Sequence, residues 1–136
     1  MSNIERTLSI IKPDAVERNL DGQIKEMFLS NGFTIVQEKK IKIEKLEAEK
    51  FYKVHETKPF YNDLCTYLSS GPIVVIILEK ENAILANREL MGSTNPKDAK
   101  EGTIRKKFGI SIDKNSVHGS DSPVNAKIEI DFFFKS

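Results

Sequence analysis

Short β-branched runs alternate along this chain with longer segments whose apolar residues recur at helical spacing. Residues 7–11 form a β-type run that Pro13 stops, and residues 33–43 form an extended segment with Lys and Glu crowding its middle. Residues 73–78 are an unbroken aliphatic run, which is typical of a central strand buried on both faces. The pattern therefore predicts strands in these three segments.

The apolar spacing predicts helices between and after these strands. Leu20, Ile24 and Phe28 share one face of a predicted helix, and Asn31-Gly32 marks its C-terminal end. Because strands and helices interleave, the class is α/β-like. Further helices are predicted at about residues 45–55, 60–68 and 81–91 and near the C-terminus. The expected core contacts of the 45–55 helix are Leu46, Phe51 and Val54, and those of the final helix are Ala126, Ile130 and Phe133.

Composition narrows the class of protein without changing this picture. At 136 residues, we expect one domain over residues 1–136. Lys and Arg (21) nearly balance Asp and Glu (20), so there is no general electrostatic basis for nucleic-acid binding. The run over residues 73–78 is too short to span a bilayer. Cys65 is the only cysteine and the N-terminus lacks a signal-like apolar segment, so we expect a cytoplasmic protein.

The candidate chemistry centres on residues 115–122, which contain one of the two histidines. Ser122-Pro123 fits an N-cap followed by the first residue of a helix. We therefore expect His118 on a loop before a helix N-terminus, where backbone N–H groups and the helix dipole favour negative charge. Such an imidazole could be a nucleophile, a general base or an ordinary surface histidine in a capped turn.

Three segments together carry a family resemblance. The octapeptide 115–122, the hexapeptide 11–16 and the segment from Asn87 to Arg105 resemble the signatures of nucleoside diphosphate kinases of the short, bacterial type. The ordered match runs from about Arg6 to Phe134. Val124 departs from it, because an acidic residue is expected after the proline of many members.

The resemblance implies a phosphotransferase that works through a phosphohistidine. His118 would take the γ-phosphate of a nucleoside triphosphate such as ATP and pass it to a nucleoside diphosphate, Glu129 would bond the second ring nitrogen, and Tyr52 would orient the imidazole. Lys12 would act with them and also bind the sugar. The nucleotide-binding residues implied are Lys12, His55, Phe60, Arg88, Thr94, Arg105, Ile112 and Asn115.

Several of these residues also have an ordinary structural interpretation. Without the family, Tyr52 would be a half-buried tyrosine and His55 an exposed histidine. Phe60 could belong to the apolar face of a helix that packs into the core instead of stacking on a base, since aromatic residues commonly have either role. The basic triplet that begins at Arg105 could be a solvated charge run, and Glu129 a surface glutamate.

The resemblance also implies a fold, a cofactor and partners. The fold would be ferredoxin-like, with helices packed on a four-stranded antiparallel sheet, and the interleaved pattern is compatible with it. Mg²⁺ would be carried by the nucleotide phosphates, with no direct protein ligand. Partners would be nucleoside di- and triphosphates and further copies of the chain, as a tetramer or hexamer.

Two rival functions follow from the same residues. One is a catalytically silent module of the same fold that senses nucleotides or phosphate. The other is a nucleic-acid-binding protein, which would require aromatic residues on an exposed sheet face and a basic field. Neither requirement of the second rival is met by the sequence.

Overall fold

The strands lie in one antiparallel sheet with the order β2-β3-β1-β4. The computed structural model describes residues 4–112 and 114–134, and all bounds below refer to that part of the chain. The strands are β1 (Ile4–Ile11), β2 (Thr34–Ile41), β3 (Ile73–Glu81) and β4 (Val117–Gly119). This order, with β1 and β3 in the centre, is the ferredoxin-like arrangement expected from the resemblance.

Helices and 3₁₀ turns connect the strands. The long apolar runs occupy the two central strands, whereas the polar segment expected around residues 33–43 forms the edge strand β2. The helices are α1 (Pro13–Glu17), α2 (Asp21–Ser30), α3 (Lys45–Phe51), α4 (Tyr61–Leu68), α5 (Ala83–Met91), α6 (Ile104–Phe108) and α7 (Pro123–Phe134), and the 3₁₀ turns are Lys53–His55 and Pro96–Asp98.

The sheet is covered on both faces. One core contains the completely buried Phe28 together with apolar residues of α5 and α6. The other contains Leu8 and Ile10 of β1 together with Cys65 of α4 and Phe133 of α7. Because successive residues of a strand point to opposite faces, β1 supplies alternate side chains to the two cores. No helix in the described ranges is long and apolar enough to cross a membrane.

Two sequence-based expectations about the core are wrong. Leu46 and Val54 are 61% and 80% exposed, although both were expected to be core contacts. The expected helix over residues 45–55 ends as an α-helix at Phe51 and continues as the turn Lys53–His55. Leu46 lies on α3, whose buried residue is Ala48, and Val54 lies in the turn, whereas Tyr52 between the two elements is buried.

The strand that carries His118 was also not expected. Residues 117–119 form β4, which pairs with β1 through Ser9↔Gly119, Ile10↔His118 and Ile11↔Val117. The expected loop is therefore a short edge strand. The helix that follows begins at Pro123, as the Ser122-Pro123 pair predicted, and its Ala126 and Phe133 are buried.

Candidate active site

The pairing of β4 with β1 fixes the position of His118. Because His118 is directly opposite Ile10, its side chain is on the same face of the sheet as Ile10. The next residue, Gly119, faces α5 on the other side. A Cβ at Gly119 would overlap the amide nitrogen of Asn87 and would lie 2.8 Å from Met91 Cε. Glycine is therefore required here by the close approach of α5 and not by an unusual backbone angle.

A carboxylate holds one nitrogen of the imidazole. His118 Nε2 donates a hydrogen bond to Glu129 Oε1 at 2.9 Å, and Ser120 Oγ donates to the same oxygen at 2.9 Å. Ser120 is itself fixed to β1, because Leu8 N–H donates to its hydroxyl and its own N–H donates to Leu8 O. With the hydrogen on Nε2, the lone pair of the imidazole is on Nδ1.

An aromatic series leads away from the imidazole. The Phe51 ring meets His118 edge-on, with a centroid distance of 5.5 Å, and Tyr52 and His55 follow along the same cleft. Tyr52 is only 5% exposed, and burial, with Cys65 and Glu129, raises the pKa of its hydroxyl, which keeps it protonated. Tyr52 makes no hydrogen bond to His118. Phe51, which was expected as a core contact, is the ring that meets the imidazole edge-on.

The second histidine lines the same cleft as His118. The His55 ring lies 6.2 Å from Tyr52 and 6.0 Å from Phe60, measured between centroids. Burial, followed by the nearby charges of Lys58 and His118, lowers the pKa of His55 below its ordinary value of 6.5. At pH 7 this side chain is therefore neutral.

Replacing Lys58 by methionine is expected to raise the pKa of His55, because a positive charge that opposes protonation is removed. The titration of the His55 ring protons by NMR measures this directly. Lys53→Met is the matched control, since Lys53 lies on the same turn but does not contribute to the shift. An unchanged His55 titration in Lys58→Met would contradict this assignment.

The lowered pKa of His55 also makes folding depend on pH. The unfolded chain binds a proton near pH 6.5 that folded His55 does not, so this site lowers stability as the pH falls through that value.

A buried polar chain joins three segments beside the imidazole. Lys12, at the end of β1, is 7% exposed, and its Nζ donates to Asn115 Oδ1 at 3.0 Å. Asn115 Nδ2 donates to the backbone carbonyl of Thr94 at 3.1 Å. The end of β1, the loop after α5 and the segment before β4 are thereby fixed together. The Thr94 side chain is exposed and makes no hydrogen bond within the described residues.

Arg105 fixes the backbone on both sides of the site. Its two terminal nitrogens donate to Gly92 O at 3.0 Å and to Val117 O, the residue before His118, at 2.9 Å. Its Nε is buried with no partner in the described part of the chain. Burial and the positive charge of Arg88 lower the pKa of Arg105 to about 10, so the guanidinium stays charged at pH 7.

Two arginines lie near the segment that carries His118. Arg88, exposed on the last turn of α5, is near enough to disfavour the charge of Arg105. Arg88 also lowers the pKa of Asp121 slightly, although the main cause there is the hydrogen bond from Asn125. Two arginines that repel each other are suited to bind an anion between them, because a phosphate would relieve the repulsion.

A hydrogen-bond network that was not predicted from the sequence supports the segment before His118. Asp14 Oδ2 accepts hydrogen bonds from Ser116 Oγ at 2.9 Å and from Arg18 Nη2 at 3.1 Å, and the Tyr67 hydroxyl donates to Asp14 Oδ1. Arg18 also donates to Phe108 O at 2.7 Å. Ser116 has a φ of +75°, a conformation that costs about 1–3 kcal/mol and needs such support. Asp14 and Ser116 lie inside the matched signatures, which was the only signal for them.

Two further predicted residues, Phe60 and Ile112, do not line the cleft that contains His118. Phe60 is 46% exposed and lines a cavity of about 370 Å³ near the N-terminus of α4. Ile112 is 55% exposed, and no described contact joins it to the other predicted residues. No group of three or more His, Cys, Asp or Glu side chains within residues 4–112 and 114–134 is arranged to bind a metal.

Comparisons of this chain with known proteins point to one family. The model of the family described as nucleoside diphosphate kinase matches residues 5–136. A nucleoside diphosphate kinase of Geotalea uraniireducens is 60% identical over 131 residues, which is 96% of each chain. One of Campylobacter jejuni is 59% identical over 132 residues, covering 97% of this chain and 96% of that protein.

A solved structure agrees with these relatives. The crystal structure of the Aquifex aeolicus nucleoside diphosphate kinase superimposes with a TM-score of 0.95 at 41% identity, covering 98% of this chain and 96% of that one. The family match and the fold therefore extend over nearly the whole chain, including β4, which carries His118, and α7, which carries Glu129. On these grounds the chain belongs to the nucleoside diphosphate kinase family.

Proposed function

We propose that His118 carries the phosphoryl group in the reaction of this family. The chain is a nucleoside diphosphate kinase, which transfers the γ-phosphate of a nucleoside triphosphate to a nucleoside diphosphate. The observation that carries the proposed mechanism is the 2.9 Å hydrogen bond from His118 Nε2 to Glu129, which leaves Nδ1 as the attacking atom. We also propose that residues 1–136 form one domain.

In the first half-reaction, Nδ1 of neutral His118 attacks the γ-phosphorus in line. A bond forms from nitrogen to phosphorus while the bond from phosphorus to the bridging oxygen breaks, and the nucleoside diphosphate leaves. The imidazole gains positive charge in this step, which the Glu129 carboxylate stabilises through Nε2–H. Ser120 keeps that carboxylate in place, and Phe51 limits rotation of the ring.

The cations of the site act on the charge of the phosphates. Arg88 and Arg105 would bind phosphate oxygens, with Thr94 donating its hydroxyl, and His55 would approach the phosphates in its neutral form. Preplaced donors of this kind are typically worth about 3–4 kcal/mol each in the transition state. Lys12 and Asn115 would bind the sugar hydroxyls, and Phe60 with Ile112 would contact the faces of the base.

In the second half-reaction, a nucleoside diphosphate enters the same cleft and takes the phosphate from His118, so one nucleotide site serves both halves. We propose that Mg²⁺ arrives with the nucleotide, whose phosphate oxygens are the hard ligands it prefers, and that it neutralises phosphate charge there. The positive charges of Lys12, Arg88 and Arg105 would suit a polyphosphate that retains net negative charge.

Two further proposals concern the oligomeric state and the cellular location of the enzyme. We propose a homo-oligomer, as a tetramer or hexamer, and a cytoplasmic location, with which the single buried thiol of Cys65 is compatible. The catalytically silent module of the same fold is not favoured, because the relatives are kinases over nearly their full length.

The proposal is tested by trapping the intermediate. The protein mixed with γ-labelled ATP and Mg²⁺, without an acceptor, is expected to retain label that is labile to acid and stable to base. Addition of a nucleoside diphosphate should then release the label as the nucleoside triphosphate. Absence of trapped label, with exchange still measurable, would exclude the covalent mechanism, and absence of both would favour the silent module.

A further inference from the structure

The cavity beside Phe60 is lined by two side chains of opposite charge, and neither has a role in the proposed mechanism. Its lining consists of Phe60, Asp63, Leu64, Tyr67 and Lys114. The Tyr67 hydroxyl is occupied by Asp14. By contrast, the Asp63 carboxylate and the Lys114 ammonium make no ion pair or hydrogen bond with any described residue, either with each other or elsewhere. The cavity therefore offers one free acceptor and one free donor beside an exposed aromatic ring.

The chain connects this cavity to the remainder of the proposed nucleotide site. Lys114 directly precedes Asn115, whose amide oxygen accepts the hydrogen bond from Lys12. On the other side, the Phe60 ring is 6.0 Å from His55, which lines the cleft with His118. A nucleotide whose phosphates reach His118 and whose sugar is near Lys12 and Asn115 would place its base against Phe60, with the base edge between the two charges.

We propose that Asp63 and Lys114 read the edge of the base and favour guanine. This inference rests on the proposed function. A carboxylate accepts two parallel hydrogen bonds from adjacent donors, and guanine supplies such donors in N1–H and its 2-amino group. The neighbouring O6 accepts from the Lys114 ammonium. Both charges are satisfied by one planar edge, with the base stacked on Phe60.

Adenine presents the opposite pattern to the same two residues. Its N1 lone pair would face the Asp63 carboxylate, and its 6-amino group would face the Lys114 ammonium, so that acceptor meets acceptor and donor meets donor. Because stacking on Phe60 is available to every base, adenine still binds, and the preference is a matter of degree. Both charged side chains are exposed, so each base contact is expected to change the rate about fivefold.

The ordinary interpretation of Asp63 is helix stabilisation, since it lies in the first turn of α4, where a carboxylate favours the helix dipole. That role would not depend on the base of the nucleotide. Discrimination between bases therefore separates the two interpretations, whereas a loss of stability does not.

The test follows the rate at which trapped phosphoenzyme is consumed by GDP, IDP or ADP at subsaturating concentration. Wild type is expected to react fastest with GDP and slowest with ADP, and IDP, which lacks the 2-amino group, should be intermediate. Asp63→Ala should remove the difference between GDP and IDP. Lys114→Met should reduce GDP and IDP alike relative to ADP, about fivefold, because O6 is common to both, and should leave their ratio unchanged.

Asp131→Ala is the matched control, because Asp131 is also an exposed aspartate but lies on α7, away from the cavity. It should keep the wild-type order and ratios. Equal rates for GDP, IDP and ADP in wild type would overturn the inference, as would wild-type ratios in both Asp63→Ala and Lys114→Met. If no phosphoenzyme forms, the proposed mechanism fails. Calorimetric affinities of the same three diphosphates then decide the base preference, and equal affinities overturn it.

Discussion

Replacement of His118 by alanine is expected to reduce phosphoryl exchange by at least about 10⁴-fold, because the atom that forms the covalent intermediate is removed while the nucleotide-binding residues remain. Coupled assays of exchange between a nucleoside triphosphate and a different nucleoside diphosphate measure this loss. The circular dichroism and melting temperature of the variant should stay close to wild type, since the His118 side chain is partly exposed and fills no core position.

The chain provides a matched control in its only other histidine. His55→Ala removes an imidazole from the same cleft, and it should react more slowly but still accumulate phosphoenzyme. Exchange in His118→Ala at more than about one hundredth of the wild-type rate would contradict the role assigned to His118.

Replacement of Arg105 by methionine is expected to reduce exchange by about 10²–10³-fold, the usual loss for one preplaced charge-stabilising donor. It should also lower the free energy of unfolding by about 2–3 kcal/mol, because the carbonyls of Gly92 and Val117 lose their hydrogen bonds from the guanidinium. Steady-state kinetics and urea denaturation measure the two effects separately.

Lys106→Met is the control for this experiment, because Lys106 is the next residue of α6 and its side chain is exposed. It removes one positive charge without touching the carbonyls beside His118, and both activity and stability should stay near wild type. Equal losses in the two variants would mean that only the local positive charge matters, and not the buried contacts of Arg105.

Most of the fold could be predicted because its elements are marked locally. The aliphatic run over residues 73–78 gave β3, and Ser122-Pro123 gave the start of α7. β4 could not be predicted in this way, because a three-residue strand is defined by its partner β1 and not by its own propensity. The error at Val54 has a similar cause, since the helix pattern gave no sign that α3 would end at Phe51.

The candidate site divides in the same way. The family resemblance implied roles for His118, Glu129 and Arg105, because their order along the chain matches that of the family. The signatures do not say which atoms meet, and the Ser116–Asp14 hydrogen bond joins residues 102 positions apart. Only the three-dimensional contacts give Arg105 its function as a support for the backbone beside His118.

The position of the phosphate in the trapped intermediate tests the central claim most directly. ³¹P NMR of the phosphoenzyme, combined with mapping of the labelled peptide, distinguishes the two ring nitrogens of a phosphohistidine from each other and from an acyl phosphate. Because Nε2 is engaged by Glu129, the phosphorus is expected on Nδ1 of His118. Phosphate on Nε2, on His55 or on a carboxylate would contradict the account.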